Sequence, residues 1–229
     1  VSMVDQVTVT LPRIDGKPGG KMTPDVGWAY NPGEAAYGAD MAVARKIGEA
    51  KSSNLRAQVI QTLNNSPERQ AQFMARVEQA VRTRRAGHAV QTLAFMPEHL
   101  YQEIKKATGV DPVRIIAVVE SRVLHIDRDK HHETGVALTL DELRTVLTSV
   151  DRPVAILQEM TQKSQAFELL FIYEADGDKK AKLVLSLQHE PKKSNEKQAL
   201  DVVNNLYKVK TQDLLNKGRY REIYGKLVP

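Results

Sequence analysis

Apolar positions repeat with a helical period through the first half of the chain and as short strand-like runs through the second. In "PERQAQFMARVEQAVRTRR" (67–85), Phe73, Val77, Ala80 and Val81 fall on one stripe, with Arg and Glu around the rest, which predicts a helix. Pro67 suits its first turn, and the basic "RTRR" suits its C-terminal end. Helical patterning starts near Ala39, and a further helix near 97–107 is closed by Gly109. "VRIIAVV" (113–119) is a β-branched run that periodicity alone leaves open as a buried strand or a buried helix. Thr139, with Glu142 three residues on, forms a capping box, and Leu140, Leu143, Val146 and Leu147 follow at helical spacing. Four strand-like runs come next: "PVAILQE" (153–159), "FELLFIYEA" (167–175), "AKLVLSLQH" (181–189) and "ALDVVNNLYKV" (199–209). The Asp-Gly pair in "DGDKK" predicts a hairpin between the second and third. Short helical turns around "TQDLLNKGRYREIYG" are expected to close the chain.

This order predicts an α+β fold, a helical N-terminal part followed by a roughly four-stranded antiparallel sheet packed on helices. Residues 1–38, rich in Gly and Pro, read as an extended arm whose Trp28 and Tyr30 dock on another surface. Residues 39–90 read as a helical linker region and 91–229 as the main domain, with the boundary near "RRAGHAV".

Composition narrows the chemistry. With 27% charged and 41% hydrophobic residues, the chain is expected to fold rather than stay disordered. No apolar run approaches the roughly 18 residues of a membrane span, so no membrane partner is expected. The absence of cysteine excludes disulfides and thiolate catalysis, leaving His and carboxylates as metal ligands. Residues 1–109 carry 14 Lys/Arg against 10 Asp/Glu, whereas 110–229 carry 19 against 18. That is not the uniformly basic stripe of a duplex-DNA binder. Six lysines against two acids in 179–197 read as a guarded strand edge, or as a rim that contacts phosphate.

The densest chemical cluster is "SRVLHIDRDKHHE" (121–133), with His125, His131, His132, Arg128 and Lys130. His125 and His131 are six apart, and "HHETG" lacks the second histidine of a zinc-hydrolase helix, so no metal site is expected. No phosphate-binding glycine loop and no nucleophile elbow are present, and no cofactor is expected. On a polar loop these residues could be plain surface. The chemistry they suit best is metal-free acid–base cleavage of RNA by its own 2′-hydroxyl. Two histidines share the base and acid roles, and a cation holds the phosphate.

Two segments carry a resemblance. "TPDVGWAYNPGEAA" (23–36) resembles a stretch of MuF-type phage head morphogenesis (minor head) proteins. The second half is similar, in order of elements, to the phage members of the Barnase–EndoU–colicin E5/D–RelE (BECR) nuclease superfamily. "LHIDRDKH" supplies His125, Lys130 and His131, and "NNLYKV" supplies a last strand with Asn205 and Tyr207. The resemblance implies a BECR-like endoribonuclease toxin domain in a phage head protein. It would reside in the virion and could be delivered into the bacterial cytoplasm. RNA (tRNA included), head or portal proteins and an immunity or antitoxin protein are the implied partners. His125 and His131 would be the acid–base pair and Lys130 the phosphate clamp, with Asn205 and Tyr207 completing the catalytic set. Arg128, Lys182, His189 and Lys208 are the expected substrate contacts, His189 reading most simply as a rim residue. Asn205 stands where such domains often carry Ser or Thr. It can donate a hydrogen bond to phosphate but cannot act as a hydroxyl acid. The alternative is a head-assembly protein without catalysis, or a nucleic-acid binder that does not cleave.

Overall fold

The computed structural model describes residues 32–160, 167–189 and 199–228. The first 31 residues of the expected arm, with Trp28 and Tyr30, lie outside the described residues. Helix α1 (Pro32–Glu49) begins inside the stretch read as an arm. Helix α2 (Ser53–Asn64) is capped by the Ser52 side chain, and α3 (Pro67–Thr83) by Ser66, each taking an otherwise unpaired first-turn N–H. Strand β1 (Val90–Phe95), helix α4 (Glu98–Thr108) and strand β2 (Ile115–Val119) follow. Gly109, at φ +72°, ends α4 in the left-handed conformation that glycine adopts without a Cβ clash.

The short helices α5 (Glu120–Ile126) and α6 (Asp129–Glu133) carry the histidine cluster, and α7 (Leu140–Thr148) starts at the expected Thr139/Glu142 capping box. Strands β3 (Ala155–Glu159), β4 (Phe167–Glu174), β5 (Lys179–His189) and β6 (Leu200–Lys210) come next, then α8 (Thr211–Leu214) and β7 (Tyr220–Gly225). The β4–β5 hairpin turns at Gly177, φ +67°, as its Asp-Gly pair predicts.

The α+β class holds, but the sheet is larger than expected and mixed. Seven strands lie in the order β1-β2-β6-β5-β4-β3-β7. All pairs are antiparallel except β2–β6, which is parallel. Two strands escaped prediction. β1 follows a glycine-containing loop with too short an alternation to stand out. β7, expected as helical turn, gains its conformation by pairing with β3 from Ala155↔Gly225 to Glu159↔Tyr220. Only a glycine fits at 225, because an added Cβ would sit 2.1 Å from the Val154 carbonyl oxygen.

Helices cover both faces. On one, Phe73 and Val77 of α3, Leu100 and Ile104 of α4, Val123 of α5 and Leu143 and Leu147 of α7 pack against Ile116, Leu183, Leu185 and Val203. On the other, Tyr37, Ala44 and Ile47 of α1 and Ile60 of α2 cover Ile115, Ala117 and Val202. Leu214 of α8 and Leu227 of the tail cover Ala155, Leu157, Leu170 and Ile172. Burial of this apolar surface, at about 25 cal/mol per Å², is the main favourable term.

Three charges lock the N-terminal helices to the sheet. Glu98, buried at the start of α4, accepts from Arg56 of α2 at 2.8 Å and from Arg114, just before β2, at 2.7 Å. Arg114 also lies 4.0 Å over the Tyr101 ring. Burial alone would raise the Glu98 pKa, but the bonds from Arg56, Gln102 and Arg114 together outweigh it and hold the group at about 2, below its ordinary 4.5. The depressed pKa contributes stability that is complete above about pH 4.5 and lost as pH falls toward 2. Urea unfolding followed across that window should therefore show a steep loss in the parent and a shallower one in Glu98→Gln. Equal slopes would remove Glu98 as the source.

Candidate functional site

The site forms because β6 outruns its neighbour. Parallel pairing with β2 covers only Asp201 to Val203, after which β2 ends and the chain turns into α5. The second half of the β6 edge is met instead by the loop after α6, where Lys208 N–H donates to the Val136 carbonyl at 2.7 Å. That loop is itself held by His131, whose carbonyl accepts from Val136 N–H and Ala137 N–H at 3.0 and 2.9 Å. The histidine cluster is thereby pressed against the sheet edge beyond the carboxyl end of β2, a usual location for ligand sites in sheets with parallel pairs.

Local geometry sets each side chain. His131 is buried, 4% exposed, and its Nδ1 lies 2.9 Å from the Ile126 carbonyl. A carbonyl only accepts, so Nδ1 carries a hydrogen and Nε2 is the ring nitrogen left to meet a ligand. The ring centroid of His125 is 6.4 Å from that of His131, and Tyr207 is 5.7 Å from His131 on the other side. Burial lowers the His125 pKa below 6.5, and the nearby positive charges of Arg128 and Arg122 push it further down. Arg128 caps the start of α6, and its Nε is buried with no hydrogen-bond partner among the described residues.

Register places the β6 residues. Tyr207 lies opposite Lys182, and Asn205 opposite Val184. The Lys182 ammonium, on a residue only 7% exposed, sits 4.5 Å over the Tyr207 ring. Alternation along β6 would also put Val203 on the Asn205–Tyr207 face, but the register shifts between Val184 and Leu185. Val203 then pairs with Leu185, and Asn204 becomes the extra residue of a bulge. The bulge turns Val203 into the core, while Asn205 and Tyr207 stay on the opposite face.

A recess of about 460 Å³ runs along this edge, with Arg128, His131, Asn205, Tyr207 and Lys208 in its wall. Lys179 and Lys210, opposite each other at the end of the β5–β6 pair, also line it. Lys210 was not singled out from the sequence, and Lys179 only as one of the six lysines in 179–197 read as a strand edge or a phosphate rim. Only the pairing register, which composition does not reveal, brings them there.

Four expected residues are absent from the recess wall: His125 and Lys182, which lie beside His131 and Tyr207, and Lys130 and His189, which stand further apart. Lys130 is exposed on α6 and does not line the recess, because a step of one residue on a helix rotates its side chain about 100° from His131. His189 pairs with Leu200 at the far end of β5, seven residues from Lys182. At about 3.3 Å per residue that is roughly 23 Å away. Lys208 is present but engaged, its ammonium 2.9 and 3.0 Å from the Glu142 carboxylate. His132 turns outward to Asp127 at 2.8 Å. Among the described residues, no group of three or more His, Asp or Glu could hold a metal ion.

The fold and recess together define a mixed-sheet α+β protein with a cationic, histidine- and tyrosine-lined edge site. Over 194 residues, 85% of its length, the chain is 34% identical to the Escherichia phage Mu protein named "Putative capsid assembly protein F", covering 41% of that protein. Over 228 residues, 97% of its length, it is 28% identical to the Mu-like prophage FluMu F protein of Haemophilus influenzae, covering 53% of it. The chain thus spans about half the length of the curated relatives it matches. Both support the resemblance to MuF-type phage head morphogenesis proteins. No protein-family model and no solved structure matches the chain.

An NMR titration of the imidazole protons should find His125 protonating below pH 6.5 and moving part of the way back in Arg128→Gln. A midpoint at or above 6.5 in the parent would contradict the burial and charge argument.

Proposed function

We propose that this chain is a structural module of a phage head protein, incorporated into the particle during head assembly through contacts with head or portal proteins. The observation that carries this reading is the extent of the similarity. An alignment over 85% of the chain must take in most of the residues between 90 and 225, so most of the sheet-forming sequence is held in common with a protein named for capsid assembly. The expected residence is the phage particle, and among the described residues no helix is long and apolar enough to cross a membrane. In a phage that encodes this chain, removal of residues 90–225 in frame should abolish mature heads or yield particles lacking the protein by mass spectrometry. Normal particle yield with normal incorporation of the shortened protein would refute an assembly role for the sheet.

A second reading follows from one specific feature, the convergence of His125, His131 and Tyr207 beside Arg128. Such a set suits metal-free cleavage of RNA. His125, kept neutral by burial, would take the 2′-hydroxyl proton, His131 would serve as its acid–base partner, and Arg128 would face the phosphate. Proton transfer by one such group is worth about 10²–10⁴-fold in rate. Purified protein incubated with total RNA and tRNA in excess EDTA should then release fragments ending in 2′,3′-cyclic phosphate. Their rate should fall on the acid side below pH 6.5, and His125→Ala/His131→Ala should lose them. Intact RNA in both leaves the head module without this activity.

A further inference from the structure

Among the described residues, Arg84 and Gln188 are the non-glycine positions with a positive φ. Arg84 ends α3 at φ 52° and ψ 30°, the left-handed conformation in which a Cβ crowds its own backbone. Glycine adopts it freely, as Gly109 does at the end of α4. An arginine kept where the backbone favours glycine indicates a use for its side chain.

The Arg84 guanidinium crosses to the junction between α5 and α6. Its Nη1 donates to the Asp127 carbonyl and to the Asp127 carboxylate, both at 2.8 Å, and its Nη2 donates to Asp129 at 3.1 Å. The other Asp127 oxygen accepts from His132 Nε2 at 2.8 Å. Asp127 is thus gripped from α3 and from α6 at once. Arg84 is half exposed, and exposed ion pairs contribute little to stability. What these bonds fix is direction.

The residues beside Asp127 are the ones the edge site uses. Ile126, one before it, gives the carbonyl that orients the buried His131 ring through Nδ1. Arg128, one after it, lines the recess. Asp127 and Asp129 both face Arg84, and Arg128 between them has an extended backbone, φ −76° and ψ 151°. Its own side chain is therefore thrown to the other side. Elsewhere α3 and α5 leave space between them. A groove of about 640 Å³ has Val77, Ala80 and Thr83 on one wall and Glu120 and Val123 on the other. Arg84 stands at its end, between Thr83 and Arg85 of the lining.

We infer that Arg84 is a positioning residue of the edge site: from α3 it holds Asp127 so that His131 and Arg128 stand together at the recess. This rests on the reading in which those two groups serve RNA cleavage, but the placement itself can be tested without RNA.

Arg84→Gly separates placement from stability, because it relaxes the backbone at 84 and removes the guanidinium in one step. Thermal unfolding should give a midpoint close to the parent's. Imidazole NMR should show the His131 Nδ1–H proton exchanging with solvent about tenfold faster, while the amides of β5 keep their protection. Asp127→Ala should speed the same exchange, and adding it to Arg84→Gly should change little, since both break one contact. Where the parent cleaves RNA, Arg84→Gly should lower kcat about tenfold or more at nearly unchanged KM. A parent that leaves RNA intact removes the cleavage reading alone, and faster Nδ1–H exchange in Arg84→Gly then still supports the clamp. Exchange unchanged in Arg84→Gly overturns the inference, as does cleavage at the parent's rate. So does exchange that rises only together with that of β5, which would make Arg84 a general stabiliser.

Discussion

Strand β6 is the element on which the rest of the structure depends, because it is eleven residues long beside a five-residue partner. A buried strand edge with unpaired N–H and carbonyl groups is costly, at about 1–3 kcal/mol per group. β2 meets the first part of that edge, and the loop after α6 must meet the rest. That requirement folds the 127–137 segment against the sheet and carries His131 to Tyr207. It also orients α7, whose capping residue Glu142 reaches back to Lys208 of β6 while accepting from Thr139 N–H at 2.6 Å. One carboxylate thus ends a helix and pins it to the central strand.

The buried charges follow the same economy of position. Glu98 ties α2, α4 and the start of β2 through two arginines. Asp201, on β6 beside β2, accepts from Gln188 N–H at 3.0 Å, and burial raises its pKa well above the ordinary carboxylate value. It is held where the β5–β6 register slips and Gln188 takes a positive φ of 51°. Each of these groups fixes a place where regular pairing stops. Lys182 and Arg128 differ, because Arg128 lines the recess and Lys182 lies over the Tyr207 ring, neither with a carboxylate in ion-pair distance among the described residues. A structural role alone leaves those two cations without an evident counterpart, which is why the edge site supports a chemical reading beside the architectural one.

Much of the candidate site was legible as residue types and little of it as geometry. Clustering along the chain marked His125, Arg128 and His131, and strand alternation placed Asn205 and Tyr207 on one face. The same reasoning could not tell that Lys130 turns outward, because the short helix that rotates it away exists only where the β6 edge needs covering. Nor could it place His189, since β5 is long enough to put Lys182 and His189 at opposite ends of one strand. Lys208 was expected to meet a substrate and instead meets Glu142. The capping box was visible in the sequence, but its second partner was not.

The sequence by itself determined the local conformations whose causes lie within a few residues. These include the Ser- and Thr-capped helices, the Gly109 stop, the Asp-Gly hairpin and the apolar faces of β3 to β6. It also determined which chemistries were open, because a chain without cysteine and with clustered histidines restricts them wherever it folds. Tertiary structure alone decided the parallel β2–β6 pair, the two edge strands β1 and β7, and the bulge at Asn204. These depend on contacts between segments far apart in the chain, whose pairing energies are comparable among registers until the whole core is packed. The site belongs to that second group. Its residues are written along the sequence, but their meeting is a consequence of how far β6 extends past its neighbour.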